Sequence, residues 1–354
     1  MGISEICAGI TGPDKRAEAE AKRRWDAVAK PLGSLGRFEE AVIRIAGIQG
    51  TADVRGAPRC CLVFCADHGV VEEGVSQTDS SVTARVARSI AEGASNVSLM
   101  AEKAETDVFA VDMGMAQPAG DARILSRRMG SGTGNIARGP AMDRHTAEAA
   151  LLAGAGLVRE MKQKGYRLIA TGEMGIGNTT ASAALASALL GLPPEETTGR
   201  GAGLSDAGLA RKRAAVAQAL AVNRPDPDDP VDVLSKVGGF EIAGMAGAFL
   251  GGAAYGIPVV ADGVISAAAA LVACRICPCA RAYILPSHRS RESAARQILS
   301  ELDLHPVLDA GMALGEGTGA VMLFPLLDMA LAVYGSSHTF QNLGMAAYVP
   351  LEGK

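Results

Sequence analysis

Glu316 stands between Gly315 and Gly317, just ahead of an apolar run that reads as a helix. Glycines on both sides let backbone and substrate approach closely while the carboxylate projects from the turn. A glutamate held in a dry pocket can have its pKa raised and accept a proton during a reaction. On local grounds the same carboxylate serves equally well as a partner for a helix N-terminus. A second chemical signal is Gly172-Glu-Met-Gly-Ile-Gly-Asn-Thr-Thr180, which follows a strand and opens a helix. Backbone N–H groups at such a turn can hold a phosphate. The spacing nearly matches the nucleotide P-loop, but Asn178 replaces the lysine that grips β and γ phosphates, with Thr179 after it. A monophosphate fits this turn better than a triphosphate, and a tight turn without a ligand fits it too. Two further glycine loops, Gly130–Asn135 and Gly199–Leu204, are similar in kind. Lys212, on the helix after the second of these, could reach a phosphate or lie in solvent.

These residues need a scaffold. Five short apolar runs end on polar residues: at Asp67-His68-Gly69, at Asp112, at Glu173, at Asp262-Gly263 and at Ser287-His288. Each run reads as a strand buried on both faces. Ligands of open α/β sheets sit beyond the carboxyl ends of the strands, so the five ends point to one shared small-molecule site. Helices are expected at about 14–29, 37–48, 82–91, 146–164, 179–190, 206–222, 231–253, 289–302 and 319–334, with Ser205 capping the helix it precedes. Strands alternating with helices imply an α/β fold with a parallel sheet. The first two helices precede the sheet and are expected to sit apart from it. The proline-rich stretch Asn223–Pro230 is the clearest linker, too short to divide two independent domains.

The chain has 354 residues, 48% hydrophobic, 20% charged and 4% aromatic, with a formal net charge of −4. This composition supports a large core and offers no basic stripe for nucleic acid. No apolar run reaches the ~18 residues of a membrane span, and the N-terminus lacks an export signal. A soluble cytoplasmic protein is expected. Seven cysteines, an odd number, fit reduced thiols. Cys274, Cys277 and Cys279 include a Cys-x-x-Cys pair without the second pair a zinc site needs, so packing is expected of them and no metal.

Taken in order, KPLGSLGRFEE, ADHGVVEEGVS, GTGNIARGPAM, GEMGIGNTTAS, GGFEIAGMAGA, ADGVISAAAAL, SHRS and LGEGTGA closely resemble the nicotinate-nucleotide:dimethylbenzimidazole phosphoribosyltransferase family. The resemblance spans about Lys30 to Ala320. It implies transfer of the 5-phosphoribosyl group of nicotinate mononucleotide to a lower-ligand base in cobalamin nucleotide-loop assembly. By that resemblance Glu316 is the catalytic glutamate, and Glu173 lies beside the substrate. Gly175, Gly177, Asn178, Thr179 and Thr180 form the phosphate-holding turn, joined by Gly201 and Lys212. No metal or cofactor is implied, and a homodimer is. The fold so implied is a parallel Rossmann-like sheet flanked by helices, over residues 51–330. Residues 1–50 would form a small helical subdomain, with 331–354 packing against it.

Departures from the family pattern cluster near the base. Asp79 stands where a proline is usual before the Val-Thr step, and Arg85, Val86, Ser89 and Ile90 replace Gln-, Met-, Asn- and Phe-like residues. Ala313 replaces a usual arginine. Ser80, Ser81, Arg88 and Leu314 are candidates for base contacts. These changes leave the acceptor open to a purine or a phenol as well as a benzimidazole. A second function class, a non-catalytic phosphoribosyl-ligand sensor, predicts binding of the mononucleotide without release of nicotinate.

Overall fold

The structure is a computed structural model that describes residues 2–349. Three helices come first: α1 (Ile3–Ala8), α2 (Lys15–Ala27) and α3 (Arg37–Gln49). Strand β1 (Arg59–Ala66) follows, then α4 (Ser81–Ala91), α5 (Asn96–Lys103), β2 (Asp107–Gly114) and β3 (Leu125–Ser126). Next are α6 (Arg144–Gln163), β4 (Leu168–Met174), α7 (Asn178–Leu190), α8 (Pro194–Thr197), α9 (Asp206–Asn223), α10 (Pro230–Val237) and α11 (Phe240–Tyr255). The chain ends with β5 (Val259–Ala261), α12 (Val264–Ile276), β6 (Ile284–Pro286), α13 (Ala294–Glu301) and α14 (Thr318–Tyr334).

The six strands form one parallel sheet in the order β3-β2-β1-β4-β5-β6. This is the doubly wound order, and its direction reverses between β1 and β4. Every residue of β1 is buried. Cys60, Leu62 and Phe64 point to one face, where they meet Leu151 of α6, Leu185 of α7, Phe249 of α11 and Leu271 of α12. Cys61, Val63 and Cys65 point to the other, against Ile90 of α4, Val97 of α5 and Phe324 of α14. Burial pushes all three thiols well above their ordinary range, so they act as small apolar residues.

The N-terminal helices do not stand apart from the sheet. Trp25 of α2 and Ile45 of α3 are buried in the same apolar cluster as Cys61 and Val63. Covering this strand face requires their apolar stripes as well as those of α4, α5 and α14. The end of the last helix and residues beyond it also join them: the Trp25 and Tyr334 rings lie 5.0 Å apart, Val28 bridges Thr339, and Phe340 N–H donates to the Ala27 carbonyl at 3.1 Å.

Two expected helices are altered. The run from Val231 to Ala253 breaks at Gly238-Gly239. A side chain at Gly239 would collide with His68 and Glu241, and a buried pair between these residues occupies that space. The helix expected from Arg289 begins only at Ala294, because 289–293 form a loop at the carboxyl end of β6. Ser205 caps α9 as expected, accepting from Gly208 N–H at 3.2 Å.

Small residues bring α6 and α11 together. A methyl group at Gly154 would land on the Gly244 carbonyl, and one at Gly247 on the Leu151 carbonyl. Gly247→Ala should cost about 2–3 kcal/mol, as overpacking in a rigid core does. Gly156→Ala, on the open side of α6, should be neutral or stabilising by about 0.5–1 kcal/mol. Urea unfolding of both variants checks this, and equal effects would contradict the packing argument.

Candidate active site

The turn from Gly315 to Gly317 joins the loop after α13 to α14. Asp262, at the carboxyl end of β5, holds it from below. Its Oδ1 accepts from the N–H groups of Gly319 (2.8 Å) and Ala320 (3.0 Å), and its Oδ2 from Gly317 N–H (3.2 Å). A carboxylate at the first turn of α14 satisfies N–H groups that would otherwise be orphaned. Burial pushes the Asp262 carboxyl up, against the opposing pull of His288 and these N–H groups. His288 Nδ1 lies 3.7 Å from Asp262 Oδ1.

Glu316 has φ +60°, a left-handed conformation uncommon outside glycine. Its N–H donates to the Glu173 carbonyl at 3.2 Å. Its carboxylate accepts from Val97 N–H (3.1 Å) and Asn96 Nδ2 (3.2 Å), so it sits at the N-terminus of α5. Gly172 and Gly317 make this packing possible. A side chain at Gly172 would strike the Glu316 carbonyl, and one at Gly317 would strike Cys61 Sγ.

Glu173 ends β4 and is buried. Burial, with Asp262 and Glu241 nearby, pushes its pKa up to about 8, against a hydrogen bond from Asn178 Nδ2. Lys212 on α9 is buried as well, and burial lowers it to about 8. Its Nζ donates to Thr179 Oγ1 at 2.7 Å. At neutral pH Glu173 therefore keeps its proton and Lys212 its charge.

These groups line one cleft with a cavity of about 240 Å³, just below the ~300–1,000 Å³ common for small-molecule sites. Gly175, Gly177, Asn178, Thr179, Gly201, Lys212, Glu173, Leu314 and Glu316 all line it. Two helix N-termini open onto it without a side-chain cap, α7 at Gly177 and α12 at Gly263. Both offer N–H groups to an anion.

Not every expected residue is there. Thr180 is fully buried behind the first turn of α7 and does not line the cleft. Ser80, Ser81 and Arg88 do not line it either. Ser80 and Ser81 start α4, whose first turn is held by Asp79 accepting from Ser81 N–H at 2.8 Å. Arg88 donates to the Ala119 carbonyl, since α4 buries Thr83, Ala84, Ala87 and Ile90 and turns Arg88 away. Val75, Ser76 and Gln77, just upstream, line the cleft instead.

Of the five strand ends, those at Glu173, Asp262-Gly263 and His288 meet in the cleft. The other two serve the interior. His68 Nε2 pairs with Glu241 Oε1 at 2.7 Å, and Asp67 accepts from Thr83 Oγ1 and Ala116 N–H. Asp112 pairs with Arg128. The loop Gly130–Asn135 covers these ends through Thr133, whose N–H donates to the Asp67 carbonyl at 2.9 Å. Ser290, Glu292 and the α5 N-terminus were not expected at the site. The capping serine Ser95 ahead of Val97 and Ala101 was the available signal for α5.

A doubly wound sheet with an uncapped helix N-terminus and a buried lysine beside it defines a protein that handles phosphorylated small molecules. Within that class, a family model described as phosphoribosyltransferase matches residues 10–345. Two relatives carry the name nicotinate-nucleotide–dimethylbenzimidazole phosphoribosyltransferase. One, from Clostridium acetobutylicum, is 43% identical over 99% of this chain and 100% of its own length. The other, from Ruminiclostridium cellulolyticum, is 45% identical over the same shares. The crystal structure of CobT from Thermus thermophilus superposes with a TM-score of 0.89, at 42% identity, covering 94% of this chain and 100% of that one. The chain belongs to the nicotinate-nucleotide–dimethylbenzimidazole phosphoribosyltransferase family.

The raised pKa of Glu173 makes stability depend on pH. Its folded value, about 8, lies above its ordinary value of 4.5, so the folded chain binds the extra proton between them. Stability therefore falls as pH rises from about 4.5 to about 8 and levels off beyond. Glu173→Gln should flatten this slope and be more stable than the parent above about pH 8. Denaturation midpoints across that range check it, and an unchanged slope would remove Glu173 as the cause.

Proposed function

We propose that the protein transfers the 5-phosphoribosyl group of nicotinate mononucleotide to an aromatic nitrogen base, releasing nicotinate and giving an α-ribazole 5′-phosphate. The single observation that carries this reading is that Glu316 and the Glu173–Thr179 turn line the same cleft. The phosphate is held by the N–H groups at the start of α7, with Lys212 and Gly201 completing the cradle. A ring nitrogen of the acceptor attacks C1′. The C1′–N bond to nicotinate breaks, and its electron pair stays on the pyridine nitrogen, so the leaving group needs no proton. The acceptor's other N–H loses its proton to Glu316. Attack from the face opposite nicotinate inverts C1′ and gives the α product.

Each neighbour of Glu316 supports that role. Val97 N–H and Asn96 Nδ2 at the start of α5 fix the position of the Glu316 carboxyl at the cleft. Glu173, still protonated near neutral pH, offers an O–H to a ribose oxygen. Leu314, Val75 and the α12 N-terminus give the acceptor an apolar wall with a polar floor. The altered stretch from Asp79 to Ile90 lies outside this wall, while the altered Ala313 lines it.

A homodimer in the cytoplasm belongs to the same reading. Among the described residues, no helix is long and apolar enough to cross a membrane. Met322, Met329 and Val333 are exposed along one side of α14, which packs beside α5 and its exposed Leu99. A stripe of that kind suits a second copy of the chain.

Glu316→Gln should lower turnover by about 10²–10⁴, the range for loss of a general base, while nicotinate mononucleotide still binds. Nicotinate release with a panel of benzimidazoles, purines and phenols measures it. Near-normal turnover would remove Glu316 from the chemistry, and binding without release for every base would favour the sensor. Light scattering should give twice the chain mass, and Met329→Glu should halve it. A monomeric parent would refute the dimer.

A further inference from the structure

A second cleft lies on the other side of the Gly199–Gly203 loop. It is lined by Thr198, Arg213, Arg291 and Ser293, and it shares Arg200, Gly201 and Glu292 with the active cleft. Two of its lining residues, Thr198 and Arg213, each carry a buried polar atom without a hydrogen-bond partner. One is the Oγ1 of Thr198, a fully buried residue, and the other is Nε of Arg213. Native interiors seldom leave such groups unpaired, and two of them on the lining residues of one cleft point to a ligand that satisfies both. Thr198 closes α8, and Arg213 projects from α9, with Nη2 at 3.3 Å from the Glu195 carbonyl. Arg291 is exposed on the loop after β6. Ser293 starts α13 without a side-chain cap.

The charges of this wall favour an anion. Arg200 is held by Asp206 and the Leu204 carbonyl. Glu292 is turned to Gly201, whose N–H it accepts at 3.2 Å. That leaves Arg213, Arg291 and the α13 N-terminus directed to the cleft. Guanidinium forks, a hydroxyl and helix N–H groups together match the oxygens of a phosphate. We infer that this cleft is a second oxyanion site, taking a phosphate or the phosphate end of a small ester. It is separate from the cradle at α7 and Lys212. The Gly199–Gly203 loop forms a wall of both sites, so an occupant here orders the loop that also touches the substrate phosphate.

The proposal goes beyond the transfer reaction, and its test separates the two. The protein is first saturated with nicotinate mononucleotide, with no acceptor, and that titration judges the active cleft on its own. Inorganic phosphate, or ribose 5-phosphate in a second arm, is then titrated calorimetrically into the saturated protein. One equivalent should bind in at least one arm, and the tighter arm distinguishes a free ion from an ester. Arg291→Gln and Thr198→Val should each weaken this binding about tenfold or more, the effect of losing one charge-assisted or one buried hydrogen bond. Neither should change the affinity for the mononucleotide in phosphate-free buffer. Thr198→Val also removes an unpaired buried hydroxyl, so it should raise the melting temperature without phosphate and shrink the rise that phosphate produces. Hydrogen exchange should show phosphate-dependent protection at 197–204 and 290–294. No binding to the saturated protein in either arm would overturn the inference. So would binding that is indifferent to both variants.

Discussion

Everything at the site depends on the carboxylate of Asp262 under the first turn of α14. Three N–H groups of the Gly317–Ala320 segment converge on it. It fastens the glycine-flanked turn to the end of β5 and so fixes the height and direction of Glu316 above the sheet. The left-handed backbone at Glu316 is tolerated because its surroundings determine it from every side. Glu173 accepts from its N–H, Gly172 leaves room for its carbonyl, and α5 receives its carboxylate.

The same region gathers acidic groups in a buried space, and their differing partners keep them distinct. Asp262 is surrounded by N–H donors and approached by His288. Glu173 has one amide donor and three acidic neighbours, Asp262, Glu241 and Glu316, which together with burial raise it to about 8. Glu316 reaches out to a helix N-terminus. Three carboxyl groups within one turn of chain and two strand ends thus have different partners and, on the proposed reading, different tasks. Among the described residues, Lys212 is the one lysine of the cleft lining, buried against Thr179.

Much of this was legible in the sequence, for physical reasons. The strands were visible because burial on both faces demands continuous apolar runs, as in Cys60–Ala66 and Leu168–Thr171. The Gly172–Thr179 turn and the Gly315–Gly317 turn were visible because glycine is required where backbones touch. What could not be read were contacts made across the fold. Nothing local distinguishes the Asp67-His68 end, which is closed off by Thr133 and Glu241, from the Asp262 end, which opens onto the cleft. Arg88 looked free to meet a base because its partner, the Ala119 carbonyl, lies in a distant loop. The paired glycines at 238 and 239 were a local signal for a break, but its cause, the buried His68–Glu241 pair that fills the space beside Gly239, lies across the fold.

The thiol of Cys61 lies directly beneath the reactive turn, with Sγ 4.0 Å from the Glu316 carbonyl and in the space a side chain at Gly317 would fill. Strand floor and turn are therefore in contact with no cushion of mobile side chains between them. Any added bulk at position 61 in the middle of the sheet would be passed straight up as a displacement of Glu316. Lineages that enlarge this residue would have to shorten or bend the turn in the same step, so the two positions should drift together or stay still.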